Sequence, residues 1–527
     1  MIKLYKIFFL IFLYSTAYSQ QLPDSFRLIN ENNRLGKLSD KTPKSNTVEY
    51  IEIYKDTIWV GTGGGLSKSG DFGETWETFE FGDEGISALG INKDTVWVAT
   101  WHPVEDAFGE ILPVGSGLHY SVDGGQNWTD IPQPVDAPDD SAVVYGINRL
   151  RALPITVEEQ NFTRDIAFTK NTIWITSFAG GTRKSTDNGK TWQRVVLPPD
   201  YLDEIKPTDT LNFTLSPTGG KLGFEENFNH RAFSIVAPND SLIYVGTANG
   251  INKSVDGGIS WKKFTHQNQE KGITGNFIVT MNYDPTRNTL WAATWKARGE
   301  DELFGLSSTA DGGDSWNNFL VNEKVHSIGF AFKRSGTELI SSSVLAGTEN
   351  GVFRSTDFGG EWIAAPQPVD DNNRSIITTN EYRAINSQLL DDDSKYFWLG
   401  TSEGLARFHE TGSLWQGEWK VYIASSGEIP QEETFAFPNP FSPDDEVLKI
   451  KYSTGGKDAK VTIRIFDFDM NPVRVLIQNA PRSGEFEQLE YWDGRDDNGY
   501  IVPNGVYFYR IEFDSSKPLY GKIMVMM

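Results

Sequence analysis

The 527-residue chain contains no cysteine. That excludes a disulfide framework, a thiolate metal site and a cysteine nucleophile. Histidine is scarce too. Its six copies, His102, His119, His230, His266, His326 and His409, are scattered and form no H-E-x-x-H, so no zinc site is expected. Positive charge is in deficit, 48 Lys and Arg against 71 Asp and Glu, for a formal charge of -23. A chain this acidic repels phosphate backbones, and nucleic acid is not expected as a partner. Beyond the N-terminus no stretch approaches 18 consecutive apolar residues, so no transmembrane segment is expected in the mature chain. No G-x-S-x-G, Walker A or dinucleotide fingerprint sits where a strand, turn and helix would hold it, and no cofactor is expected.

What the chain does have is glycine and aromatics: 50 Gly, 33 Phe and 16 Trp. That mixture suits short strands joined by tight turns. Lys3 and Lys6, the apolar run Ile7 to Leu13, and Ala17-Tyr18-Ser19 read as a signal peptide over residues 1–19. A segment 20–45 follows, and the mature protein is expected outside the cell or at its surface.

Internal repetition is the strongest signal. The string S-G-D-F-G-E-T-W from Ser69 to Trp76 recurs at Ser121–Trp128, Ser185–Trp192, Ser254–Trp261, Thr309–Trp316 and Ser355–Trp362. Each copy is preceded by a short apolar strand: T-I-W-V-G-T at Thr57–Thr62, T-V-W-V-A-T at Thr95–Thr100, L-I-Y-V-G-T at Leu242–Thr247 and their counterparts. A seventh unit keeps the strand, Phe397 to Thr401, but loses the box. Asp71, Asp123, Asp187, Asp256, Asp311 and Asp357 are placed to accept backbone N–H groups of a tight turn, and the glycine two residues on to supply a positive φ. The Trp is expected to begin the next strand. These aspartates are therefore read as structural. The repeat resembles the Asp-box (BNR) motif. That resemblance implies an all-β fold, a seven-bladed β-propeller over residues 46–425, four strands to a blade. Residues 24–45 are a candidate for a ring-closing strand.

A linker over 426–434 leads to a second unit, 435–527. It carries F-P-N-P-F from Phe437, W-D-G-R-D-D-N-G from Trp492 and P-N-G-V-Y-F-Y-R-I from Pro503. These resemble the FlgD-like Ig-like domain, which implies a C-terminal β-sandwich. The unit is also similar to sorting domains of type IX secretion cargo, which implies contact with outer-membrane secretion machinery; the ending Met526-Met527 departs from their usual basic residue. The acidic run Asp493–Asp497 has Arg495 where calcium loops place a ligand, so it reads as a turn.

The long insertions gather on one face of the expected ring. Two follow second strands, Trp101–Gly115 and Trp295–Gly305, and each offers a Trp and an acidic pair, Glu105-Asp106 and Glu300-Asp301. Three connect blades, Ile131–Asn161, Leu197–Asn229 and Ala364–Glu381, and the first and third share P-Q-P-V-D. Long loops on a rigid scaffold are where binding concentrates. Trp101 and Trp295 are candidate sugar-stacking residues, and Glu105, Asp106, Glu300 and Asp301 candidate catalytic carboxylates. The plainer alternative is that the tryptophans pack on neighbouring loops and the acids are solvated.

Asp-box propellers include sialidases, xyloglucan-cleaving glycosidases, sortilin-type receptors and photosystem assembly factors. The F/Y-R-I-P string of sialidases is missing; Arg151 to Pro154 has the wrong spacing. Xyloglucan-cleaving enzymes usually pair two propellers, so their catalytic positions do not transfer to a chain expected to hold one. The leading expectation is a non-catalytic surface propeller binding a glycan or a protein. Secreted glycoside hydrolysis by the loop carboxylates is the alternative, and an envelope assembly scaffold a second.

Overall fold

The computed structural model describes residues 41–82, 84–106, 108–217, 227–370, 375–424, 434–443, 447–484, 488–514 and 516–527. The leader expected over 1–19, most of segment 20–45 and nearly all of the linker 426–434 lie outside the described residues.

Consecutive strands form antiparallel meanders. The first uses Val48–Tyr54, Thr57–Thr62, Gly65–Ser69 and Glu77–Phe79. Six more follow in chain order. The second runs from Gly85–Asn92 to Thr129–Ile131, the third from Thr163–Thr169 to Gln193–Arg194, and the fourth from Ala232–Val236 to Trp261–Phe264. The fifth runs from Phe277–Asp284 to Asn317–Phe319, the sixth from Val325–Ser335 to Ile363–Ala364, and the seventh from Tyr382–Leu389 to Gly417–Tyr422.

The second strands are buried on both faces, which is why they read as nearly unbroken apolar runs: Trp59, Val60, Trp97, Val98, Trp291, Ala292, Trp398 and Leu399 are all at most 3% exposed. The glycine before the threonine in this strand has a packing reason. A Cβ on Gly246 would lie 2.5 Å from Ile278 of the fifth meander, and one on Gly400 would lie 2.5 Å from Val48 of the first. The threonine closes the turn that follows: Thr247 Oγ1 donates to the carbonyl of Gly250 at 3.0 Å and Thr401 to that of Gly404 at 2.9 Å.

First strands of successive meanders lie side by side, and that of the seventh returns to that of the first. Asn386 Nδ2 donates to the carbonyl of Ile51 at 3.0 Å across this junction, and Val48, Ile51, Val60 and Trp76 share a core with Ala384, Trp398 and Tyr422. Asn46 and Ala424 exchange two hydrogen bonds there. Each meander takes its four strands from one continuous stretch, so among the described residues no strand is exchanged to close the ring.

Three sequence expectations need correction. The insertions 131–161 and 197–229 are not bare loops. Ala142–Tyr145, Asn148–Ala152 and Thr214–Leu215 form a separate small sheet, and Glu204–Ile205 adds a fifth strand to the fourth meander. Their apolar residues, Leu150, Leu197, Ile205 and Phe213, share one core with Trp174 and Trp261, a partner set that no local pattern reveals. Segment 101–115 is likewise no loop but a hairpin extension, Thr95–Glu105 pairing with Ile111–Ser121. Only Trp261 begins a fourth strand; the other five box tryptophans precede one.

The C-terminal unit has two sheets. One orders Thr434–Phe437, Leu448–Tyr452 and Gln488–Trp492; the other orders Pro472–Arg482, Ala459–Phe466, Gly505–Phe513 and Leu519–Val525. Both contribute to one core containing Ile450, Tyr452, Ile463, Trp492, Tyr509 and Ile523. This unit touches the ring: the amide of Ile376 donates to Tyr491 Oη at 2.7 Å, and Leu489 enters the core of the seventh meander.

Candidate functional site

The first strand of every meander carries a β-bulge near its start. The bulged residues are Glu49, Ser87, Arg164, Phe233, Val279, His326 and Arg383, one per meander. A bulge leaves one residue out of the ladder and re-aims its side chain. All but Ser87 line an axial cavity of about 840 Å³ that runs along the first strands. Sequence reasoning missed this set entirely. Its one available signal was weak: the bulge lies opposite the end of the T-x-W-x-G-T strand, but the length of chain between the two differs from meander to meander.

Charges in the channel are mostly paired. Arg383 donates to Glu49 at 2.6 Å and to Glu381 at 2.8 Å, with His326 3.9 Å from Glu381. Arg164 differs. Its guanidinium lies 4.3 Å from the Phe162 ring centroid and 5.4 Å from that of Phe233, and it has no hydrogen bond or ion pair among the described residues. Burial pulls its pKa down, though a guanidinium stays charged at any ordinary pH. Deeper in the channel, burial and then the neighbouring Asp165 push Glu52 up to about 8. Asp165 is itself pushed up to about 6 by burial, against the pull of its bonds from Ile235 N, Ser234 Oγ and Ile166 N.

Trp295 lines the channel, whereas Trp101 is not among its lining residues. Trp295 donates from Nε1 to the carbonyl of Val325 at 3.0 Å and packs against Phe277, Phe304 and His326. Trp101 is half-buried and stacks on Phe162 with centroids 6.0 Å apart. Asp106 caps the tip of its hairpin, accepting the amides of Phe108 at 2.8 Å and Glu110 at 2.9 Å. Glu105 and Glu300 are exposed, and their side chains make no hydrogen bond or ion pair among the described residues, while Asp301 lies 3.4 Å from His266 Nε2. The acid that organises the second insertion is Glu302, which is 1% exposed. It accepts from Ala297 N, Gly299 N, Asn276 N and Asn276 Nδ2, and those bonds outweigh burial to hold its pKa low.

In the box turns, Asp187 accepts Thr191 N at 2.9 Å, Thr191 Oγ1 at 2.6 Å and Ser185 Oγ at 2.8 Å. The Thr191 hydroxyl and amide, then Ser185, hold its pKa down to about 2. Asp71, Asp123, Asp256 and Asp311 make the same set with their own turns, and Asp357 makes it without the residue-four side chain. Both P-Q-P-V-D aspartates are buried anchors. Asp136 pairs with Arg183 at 2.6 Å and Arg194 at 3.0 Å, and Asp370 accepts the amide of Val421 at 3.0 Å. Among the described residues no group of three or more His, Asp or Glu is arranged to hold a metal ion. Nor is any helix there long and apolar enough to cross a membrane.

Radial antiparallel meanders around an axial channel define a β-propeller. The chain is 23% identical over 384 residues to xyloglucanase Xgh74A of Acetivibrio thermocellus, a match covering 71% of this chain and 34% of that protein. It thus spans about a third of the length of the curated relatives that it matches along most of its own. Among solved structures, an ancestral GH74 enzyme superposes with a TM-score of 0.52 at 13% identity, covering 92% of this chain and 63% of the other. PorZ, a surface component of the type-IX secretion system of Porphyromonas gingivalis, superposes with a TM-score of 0.39 at 14% identity, covering 91% of this chain and 66% of the other. No family model matches the chain.

Proposed function

We propose that the chain is an exported glycan-acting propeller of seven blades, residues 46–425, carrying a FlgD-like Ig-like module over 435–527, and that it hydrolyses a polysaccharide of the xyloglucan kind. The observation that carries this is the 384-residue likeness to xyloglucanases, which extends over most of the ring rather than one repeat. It moves the preference from binding alone to glycoside hydrolysis. Of the four candidate carboxylates, Glu105, Glu300 and Asp301 have side chains free of backbone hydrogen bonds, as an acid, base or nucleophile requires. Asp106 is removed from that set by its capping bonds. The box aspartates are taken as turn-holding residues, and the C-terminal module as the part that meets the export machinery.

The test is mass spectrometry of products after incubation of the protein with xyloglucan and a panel of other β-glucans. Oligosaccharide release that disappears in the Glu105→Gln, Glu300→Gln, Asp301→Asn triple variant supports hydrolysis. No release by folded protein rejects it. A binding-only reading is favoured by one observation: Trp295, half-buried against Phe277 and Phe304, lines the axial channel. Affinity electrophoresis in the same polysaccharides measures that property directly.

A further inference from the structure

We infer that the axial channel is a binding site for a carboxylate-bearing sugar, a uronic acid residue, held by the Arg164 guanidinium between the Phe162 and Phe233 rings. The inference rests on the glycan reading above and assigns a ligand class to the channel, apart from the loop carboxylates.

The argument starts from charge. Arg164 is the bulged residue of the third meander and is turned into the cavity. Its Nε is enclosed without an acceptor, and no carboxylate of the described residues reaches the guanidinium. The other bulged arginine, Arg383, has two carboxylates at hydrogen-bond distance. A partly desolvated guanidinium without a counter-ion carries a cost, and an anion bound at its open edge relieves it. Neighbouring acids do not serve. The Asp165 carboxylate is committed to Ser234, Ile235 and Ile166.

Size and shape narrow the ligand. One guanidinium offers a planar fork that matches one carboxylate, whereas a dianionic phosphate would face Asp165, and the cavity's other arginine, Arg383, is already paired with Glu49 and Glu381. The wall includes the rings of Phe233, Phe277 and Trp295, with Phe233 and Phe277 centroids 4.6 Å apart, while Phe162 backs the guanidinium from outside the cavity. Aromatic faces beside a carboxylate anchor suit the apolar face of a pyranose. The cavity of about 840 Å³ admits a unit or two of a chain end, and ligand sites are commonly that large.

Calorimetry on the full chain tests this with a galacturonic acid oligomer, the same oligomer reduced to its neutral alcohol, and galacturonic acid itself. The acidic oligomer is expected to bind at least about tenfold more tightly than the neutral one, the value of one charge-assisted bond. Arg164→Gln and Arg164→Met, each checked for an unchanged circular dichroism spectrum and melting curve, are expected to erase that difference, and Arg164→Lys to keep part of it. Equal affinity for acidic and neutral oligomers overturns the inference, as does acidic binding that survives Arg164→Met, or binding of neither. The two readings fail separately. Hydrolysis of neutral xyloglucan without acid discrimination defeats only the channel site. Arg164-dependent binding of galacturonic acid with no polysaccharide bound or cut defeats only the polysaccharide reading.

Discussion

The guanidinium of Arg407, in the seventh meander, donates to the carbonyl oxygen of Phe72, in the box turn of the first, across 335 residues of sequence. The same contact recurs elsewhere in the ring. Lys68 donates to Gly124 at 2.8 Å and Lys253 to Gly312 at 2.7 Å, in each case from a third strand to the residue after the aspartate of the next box. The turn is thus held from within by its aspartate and from outside by a neighbour's cation. Arg407→Met should remove one of the ties that join the ends of the ring, beside those of Asn386, Asn46 and Arg383. A charge-assisted hydrogen bond contributes about 1.5–3 kcal/mol, so the urea midpoint should fall by that equivalent. Hydrogen exchange should accelerate first in strands 48–79 and 382–422, whereas Lys253→Met should speed exchange around 250–316 instead.

Arg354 and Glu410 form a doubly bonded pair, 2.6 and 3.2 Å, with side chains 5% and 6% exposed and the guanidinium over Phe397. Glu410→Ala strands a buried cation and should cost about 3–5 kcal/mol by chemical denaturation. Replacing both with methionine and leucine should recover much of that loss. A double variant as unstable as the single one would mean that the pair contributes through packing rather than charge.

Ser185 is 2% exposed, and its hydroxyl bridges the turn, accepting Gly189 N at 2.8 Å while donating to Asp187. Ser185→Ala leaves that amide without an acceptor and should cost about 1–3 kcal/mol in denaturation midpoint. Thr191→Val, at the exposed end of the same turn, should cost less.

Glu52 and Asp165 give the protein a specific pH response. Both carboxyls titrate above their ordinary values, Glu52 at about 8 and Asp165 at about 6. Between pH 4.5 and 8 the folded state therefore holds protons that the unfolded state has released, so stability falls as pH rises through that window. Glu52→Gln should flatten the decline, its advantage over the wild type growing from pH 5 to pH 8 in urea midpoints. A variant that follows the wild-type curve throughout would show that Glu52 ionises freely.

Glu302 ties down the insertion after Trp295. Glu302→Ala should loosen residues 296–304, visible as faster proteolysis there, and cost about 1–3 kcal/mol or more through the amides left unbonded. Glu300→Ala and Asp301→Ala, both exposed, should change stability by less than about 0.5 kcal/mol, which lets their effect on turnover be read cleanly.

The all-β character and the units of the ring were legible because their determinants are local. In S-T-D-N-G-K-T-W every hydrogen bond of the turn joins residues four or fewer positions apart, so the string is a complete instruction for its own geometry. The apolar T-x-W-x-G-T runs were equally plain, since burial on both faces leaves no room for alternation. The insertions were less legible. Segments 131–161 and 197–229 look polar and irregular, yet they pair with each other through Arg151–Thr214 and Ala152–Leu215, which lie more than sixty residues apart.

By itself, then, the sequence determined the repeating strand, turn and strand units, because each depends on contacts within one repeat. Only the tertiary structure decided which side chains meet on the axis. Glu49, Arg164, Phe233, His326 and Arg383 come from five different repeats, and no local pattern pairs Arg383 with Glu49 or leaves Arg164 without an acid. That difference arises from the ring itself. Closure brings the bulged positions of six of the seven meanders to a common channel, and there burial and the chance of a neighbour's charge set the chemistry of every group.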